Sequence, residues 1–192
     1  MWNVDLAFAD VVSTSSDPRL GAIRLAWWRE RLEELGQGKV APPEPRLQAV
    51  MSGLLPLGVG GRELSRLEDA WLPLLELFPW GEAQAEGMRL RGRILFEVGE
   101  RLLGNGGQDV GVTGELWSLI DAARHCSDRP SREMLAREAG KILGSLHGRL
   151  PSRVRPLTIL AALSAADLLR EGSGLGRLSA AVRHRLFGTL PR

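Results

Sequence analysis

Apolar residues recur along this chain at three- and four-residue intervals. Leu25, Trp28, Leu32 and Leu35, flanked by Ile23 and Trp27, place a broad apolar stripe on one helix. Asp17 before Pro18 supplies an N-cap followed by a proline at the first helical position, and Gly36 closes the far end. After a proline-rich turn at 41–45, the segments 45–54, 61–78, 82–103, 113–126, 131–147, 153–170 and 176–187 each carry helical spacing, most with a stop signal between them. On 82–103, Met88, Leu95, Val98 and Leu102 share a face, Arg89, Arg93 and Glu100 lie largely outside it, and the glycine-rich stretch 104–107 ends it. The stretch 154–169 is apolar around most of its circumference, which predicts a central helix packed by several neighbours. In the last helix Leu178, Val182 and Leu186 form the stripe, with Arg183 and Arg185 beside it. No convincing alternating pattern appears, tyrosine is absent and β-branched residues are scattered, so the chain reads as all-α, without internal repeats.

Composition sharpens this only in places. A chain of 192 residues with 44 % hydrophobic content is expected to form one domain, 1–192, around one core. The net charge is +2, and Lys39 and Lys141 are the only lysines among 25 basic residues, so a pI near 9.3 gives no reason to expect nucleic acid as a partner. One cysteine, Cys126, excludes an internal disulfide framework and a zinc cluster, and fits a reducing, cytoplasmic compartment. Asp5 and Asp10 interrupt the first apolar stretch, which does not read as a signal peptide. The strongly apolar run 157–166 is too short to span a bilayer. A soluble protein is expected, with membrane contact peripheral at most. That contact would involve the basic C-terminal segment, where Arg149, Arg153, Arg155, Arg170, Arg177, Arg183, Arg185 and Arg192 face only Asp167 and Glu171.

The run 20–30, Leu-Gly-Ala-Ile-Arg-Leu-Ala-Trp-Trp-Arg-Glu, resembles the "iRLxWWR" helix of squalene/phytoene synthase-like proteins, and Ala7-Phe8 upstream is similar to the family's "YAF" segment. Further likenesses follow in the family's order. The segment from Arg91 and Gly92 to Gly99 is similar to the helix carrying "AGxVG". Residues 116–124 resemble the "QLxNILRD" helix, and Leu150-Pro151 with Arg155-Pro156-Leu157 resembles the C-terminal "lP…Rpl" passage. The resemblance spans nearly the whole chain, although family enzymes are longer and begin with a helix not found here. It implies a helical bundle of the isoprenoid synthase type, whose cavity condenses two allylic diphosphates head to head. Trp27, Trp28 and Gly92 would line that cavity, with Trp27 and Trp28 also open to a packing role. Arg24, Arg124 and His125 would face diphosphate. Arg91 and Leu95, set where the family has small residues, would narrow the cavity.

The family's two aspartate boxes hold magnesium, a hard cation that takes oxygen ligands and neutralises the leaving diphosphate. Laid on this chain, the first box puts Ser13 and Thr14 at the paired aspartates and Asp17 at the last place, where a helix N-cap also accounts for it. Asp10 is a stray carboxylate nearby. The second box puts Asp121 at the asparagine, His125 at the first aspartate and Arg129 at the last, with Asp128 one residue off. Asp10, Asp17, Asp121 and Asp128 are therefore the candidate catalytic carboxylates. The group Asp121, Arg124, His125 and Asp128 is a candidate polar pocket or a solvated helix end.

Three readings follow. The favoured one is a family relative that has lost catalysis and acts as a lipid-binding, assembly or partner protein, like the family's mitochondrial complex I assembly-factor branch. It needs no cofactor, and its partners would be a prenyl lipid, a prenyl diphosphate or another protein. The alternative is an active prenyl diphosphate transferase with altered magnesium ligands. The third is a plain helical interaction module whose resemblance is incidental.

Overall fold

A computed structural model describes residues 1–104, 110–169 and 174–192, and the described residues are helical with no strand. The chain divides into two compact units, Met1–Leu77 and Phe78–Arg192. The glycines at 106 and 107, and Arg170 and Glu171 of the basic C-terminal segment, lie outside the described residues.

In the first unit α1 (Trp2–Thr14) precedes α2 (Pro18–Gly36), α3 (Pro45–Gly53), α4 (Gly61–Ser65) and α5 (Leu67–Trp71). The helix α1 is absent from the sequence reading, which took Asp5 as an interruption. Val4, Ala7, Phe8 and Val11 in fact share a buried face, and Asp5 is buried with them because Trp71 donates its Nε1 proton to Asp5 Oδ1 at 2.9 Å. The helix α2 starts as expected at Asp17–Pro18 and buries Leu25, Trp28, Leu32 and Leu35. The single helix expected over 61–78 is instead broken into α4, α5 and a 3-10 turn at Leu72–Leu75. Pro73 has no N–H for the next helical bond and its ring clashes with the preceding turn, so the backbone tightens there. Gly61 packs against α2, where a Cβ would collide with the Leu32 carbonyl oxygen and lie 2.7 Å from the Gly36 nitrogen. No other residue fits that approach without separating the helices.

The second unit is built on α6 (Glu82–Leu102), α7 (Gly111–His125), α8 (Arg129–Ser145), α9 (Arg155–Leu168) and α10 (Gly174–Phe187). Its centre is α7, which packs on α6, α8 and α9. The helix α9 also meets several neighbours, with Leu157, Thr158, Ala161, Ala162, Ser164, Ala165 and Ala166 buried. On α6, Met88, Leu95 and Val98 are buried as the spacing predicts, but Arg91 and Glu100 are buried too. The expectation that Glu100 lies outside the core face is thus corrected. Arg89 lies at the edge of the core, where its guanidinium joins Glu82 and Glu86 of its own helix to Glu138 of α8, at 2.8, 2.8 and 2.6 Å.

His184 of α10 is fully buried. Its Nδ1 donates to the Thr189 carbonyl at 3.1 Å, and its Nε2 lies 2.9 Å from the Thr158 hydroxyl, which is also 3.1 Å from the Val154 carbonyl. Burial holds this imidazole below its ordinary value, and the Arg155 charge acts the same way, against the opposing Thr189 hydrogen bond. The unfolded chain then binds a proton, from about pH 6.5 downward, that the folded ring resists. Stability from this site is fully present above that value and falls as the solution is acidified towards the lowered folded value. Urea midpoints at about pH 7.5 and pH 5.5 are expected to differ less for His184→Gln than for the parent chain, since glutamine does not titrate.

Candidate functional site

The residues at the first box position sit where α1 ends and α2 begins. Ser13 and Thr14 turn their hydroxyls back on the Asp10 carbonyl, at 3.3 and 2.6 Å, as hydroxyls do in the last turn of a helix. Arg24, nearly two turns into α2, donates through Nη1 to Thr14 Oγ1 and Ser15 Oγ, both at 3.2 Å. Asp10 is exposed and pairs with Arg46 of α3 at 2.9 Å. Asp17 accepts from the Arg19 backbone N–H at 2.8 Å and caps α2. Asp17 is thus engaged at the start of α2, and Asp10 in a surface ion pair with α3. Trp28 is buried beside Phe8, whose ring centroid is 6.2 Å away, while Trp27 is 41 % exposed and meets Trp28 edge-on at 5.2 Å. Neighbouring helical residues point about 100° apart, which is why one indole joins the core and the other does not.

In the second unit the second-box residues lie at the C-terminal end of α7. Asp121 receives Nη1 of the buried Arg91 at 2.8 Å, and that guanidinium lies 3.4 Å from Ser118 Oγ and 4.6 Å above the Trp117 ring. His125 is largely exposed, and its Nδ1 donates to the Asp121 carbonyl at 2.8 Å, with Asp121 Oδ1 at 3.7 Å. Arg124 reaches Asp167 of α9 at 3.3 Å, and Arg177 of α10 reaches the other oxygen of Asp167 at 3.4 Å. Asp128 stands apart from this group as the N-cap of α8, accepting from the Ser131 N–H at 2.9 Å and the Ser131 hydroxyl at 2.5 Å. The structure therefore brings Asp121, Arg124 and His125 to one end of α7, and gives Asp128 to the next helix. Arg91 and Asp167 complete the cluster and were not candidates. An arginine within an apolar helical face is the sequence signal for the former.

The cap assignments carry measurable consequences. Asp128→Ala is expected to lower stability by about 1–2 kcal/mol and Asp17→Ala by about 1 kcal/mol, read as shifts in urea midpoint at unchanged slope.

Where a Cβ would point, Gly92 meets backbone. It lies against Gly114 of α7, and a Cβ there would collide with the Gly114 carbonyl and sit 2.8 Å from the Glu115 nitrogen. Arg91 and Leu95 flank it as buried side chains. A crevice of about 60 Å³ opens near Asp121, Arg124 and Asp167, with Trp117, Leu160 and Leu163 among its walls. A wider recess of about 340 Å³ lies between 146–150 and 189–192 and contains none of the candidate residues. Among the described residues no three His, Cys, Asp or Glu side chains converge to hold a metal ion. The donors around Asp121, a carboxylate beside an arginine and an imidazole, do not form the oxygen cage that magnesium takes.

Among the described residues no helix is long and apolar enough to cross a membrane. Comparison of the chain with protein-family models, with curated proteins and with solved structures finds no match in any of the three.

Proposed function

We propose that this chain works by binding rather than by transfer chemistry, as a squalene/phytoene synthase-like helical protein whose carboxylates have become structural. One observation carries this reading. Asp17 and Asp128 cap helices, Asp121 pairs with the buried Arg91 and Asp10 pairs with Arg46 at the surface, so each candidate carboxylate already has a partner within the protein. A magnesium ligand in such a role would have to leave its cap or ion pair to coordinate, at the expense of the helix end it holds. The cations that remain, Arg24 of the first unit, held by hydroxyls, and Arg124 of the second, shared with Asp167, each suit an anion without a metal bridge and are taken separately. The ligand class proposed is a prenyl lipid or its diphosphate, or a protein partner taken up in its place.

Calorimetric titration with a non-hydrolysable farnesyl diphosphate analogue, with magnesium and again with EDTA, tests this. The expected result is binding that is indifferent to EDTA and weakens on Arg24→Gln or Arg124→Gln. Binding that requires magnesium would restore the transferase reading. Absence of binding by folded protein would leave the protein-partner role and direct the search to co-purifying chains.

A further inference from the structure

The last helix turns its apolar stripe the wrong way for a core. Successive residues of α10 are rotated by about 100°, so Leu175, Leu178, Val182 and Leu186 fall on one strip and Ala180 and His184 on the opposite side. Ala180 and His184 are fully buried, whereas Leu175 is 80 %, Leu178 60 %, Val182 49 % and Leu186 62 % exposed. A stripe of this kind ordinarily faces the interior. Here it runs outward along about 16 Å of helix. Arg183 and Arg185 are exposed at its two edges.

The helix and the segment that follows it carry one sign of charge. From Gly174 to Arg192 the sequence contains no acidic residue. The Leu150 N–H donates to the Gly188 carbonyl at 2.8 Å, and Arg192 donates to the Leu146 carbonyl at 3.0 Å. These bonds hold the 146–155 turn, with exposed Arg149 and Arg153, beside the end of α10. Among the described residues Arg149, Arg153, Arg183 and Arg185 take part in no ion pair. The 340 Å³ recess at this end is lined by Arg149 and Arg192, which extends the same cationic surface.

We infer that α10 is the docking face of this protein for an anionic lipid bilayer. Its leucines and valine enter the acyl boundary while the flanking arginines rest on lipid phosphates. The charge pattern separates this occupant from others. A second copy seated strip to strip would bring two rims of unpaired arginine together, and like charges across an interface are repulsive. This site uses none of the box residues and stands whether or not the chain binds a prenyl diphosphate.

Flotation of the purified full chain with phosphatidylglycerol-containing vesicles, and with pure phosphatidylcholine vesicles, tests it. The expected result is binding to the anionic vesicles that high salt reverses, with at least about tenfold weaker partition onto phosphatidylcholine. Leu178→Asp/Leu186→Asp and Arg183→Glu/Arg185→Glu should each lower anionic-vesicle binding by about tenfold or more, with far-UV circular dichroism unchanged because all four side chains are exposed. The inference is overturned by failure of the parent chain to float with anionic vesicles, or by folded variants that float as the parent does. It is also overturned if the leucine variant converts a dimer to a monomer in sedimentation equilibrium without changing flotation.

Discussion

Gly92→Ala is expected to destabilise the second unit by about 2–3 kcal/mol, against the ordinary effect of the same exchange in a helix. In a free helix interior alanine is better than glycine by about 1 kcal/mol, because it loses less backbone entropy. At Gly92 that gain is overwhelmed. The added methyl would fall on the Gly114 carbonyl, and on the other side a Cβ on Gly114 would strike the Gly92 carbonyl and lie 2.8 Å from Phe96 Cγ. Backbone atoms cannot rotate aside as a side chain can, so α6 and α7 would have to move apart and loosen Leu95, Phe96, Leu116 and Leu119, all fully buried. Gly140→Ala on α8 is the matched control, since nothing lies within 4 Å of a Cβ there and it should stabilise by about 0.5–1 kcal/mol. Chemical denaturation of the two variants should shift the midpoint in opposite directions. Equal shifts would mean that the glycine contact does not set the spacing of α6 and α7.

The contact between Gly92 and Gly114 shows where sequence reasoning stops. Gly92 was singled out as a cavity residue through a resemblance, and nothing in the spacing of α6 reveals that a second glycine, on α7, faces it. The same limit applies elsewhere. The Asp17–Pro18 start of α2 was legible because a cap and its helix are neighbours in sequence. Asp128, two residues before Pro130, carries a similar signature, and like Asp17 it stands among the candidate carboxylates although a cap accounts for it. The helix α1 was obscured by Asp5, whose burial depends on Trp71, a residue 66 positions away. Helical spacing runs on across Arg66 and Pro73 while the helix does not, so three short elements read as one. On α10 the stripe of Leu178, Val182 and Leu186 was legible as a stripe, but its direction depends on Ala180 and His184 packing inward. Small and polar residues winning the buried side over leucine is a tertiary outcome that no local pattern announces.

Arg91→Ala is expected to cost about 3 kcal/mol, and Asp121→Ala about 2 kcal/mol, because the pair is built into the α6–α7 contact. Arg91 is the more deeply placed partner, with a side chain 6 % exposed against 29 % for Asp121. Truncating it removes the charge-assisted bond to Asp121 and the packing of its guanidinium over Trp117, and leaves a void beside Ser118. Arg91→Met should recover part of the loss, to about 1–2 kcal/mol, since methionine refills the apolar stem without the charge. The two single changes share one bond, so the double variant Arg91→Ala/Asp121→Ala should cost less than their sum by about 1.5 kcal/mol or more. The same cycle decides between a structural and a catalytic Asp121. A carboxylate held for magnesium chemistry would lose turnover on removal with little change in denaturation midpoint. A carboxylate held for Arg91 would lose stability, and the loss would shrink when Arg91 is already absent. Asp121→Ala that keeps the parent midpoint yet abolishes formation of a condensed prenyl product would reverse the assignment of this residue, and with it the reading of the chain as a binding protein.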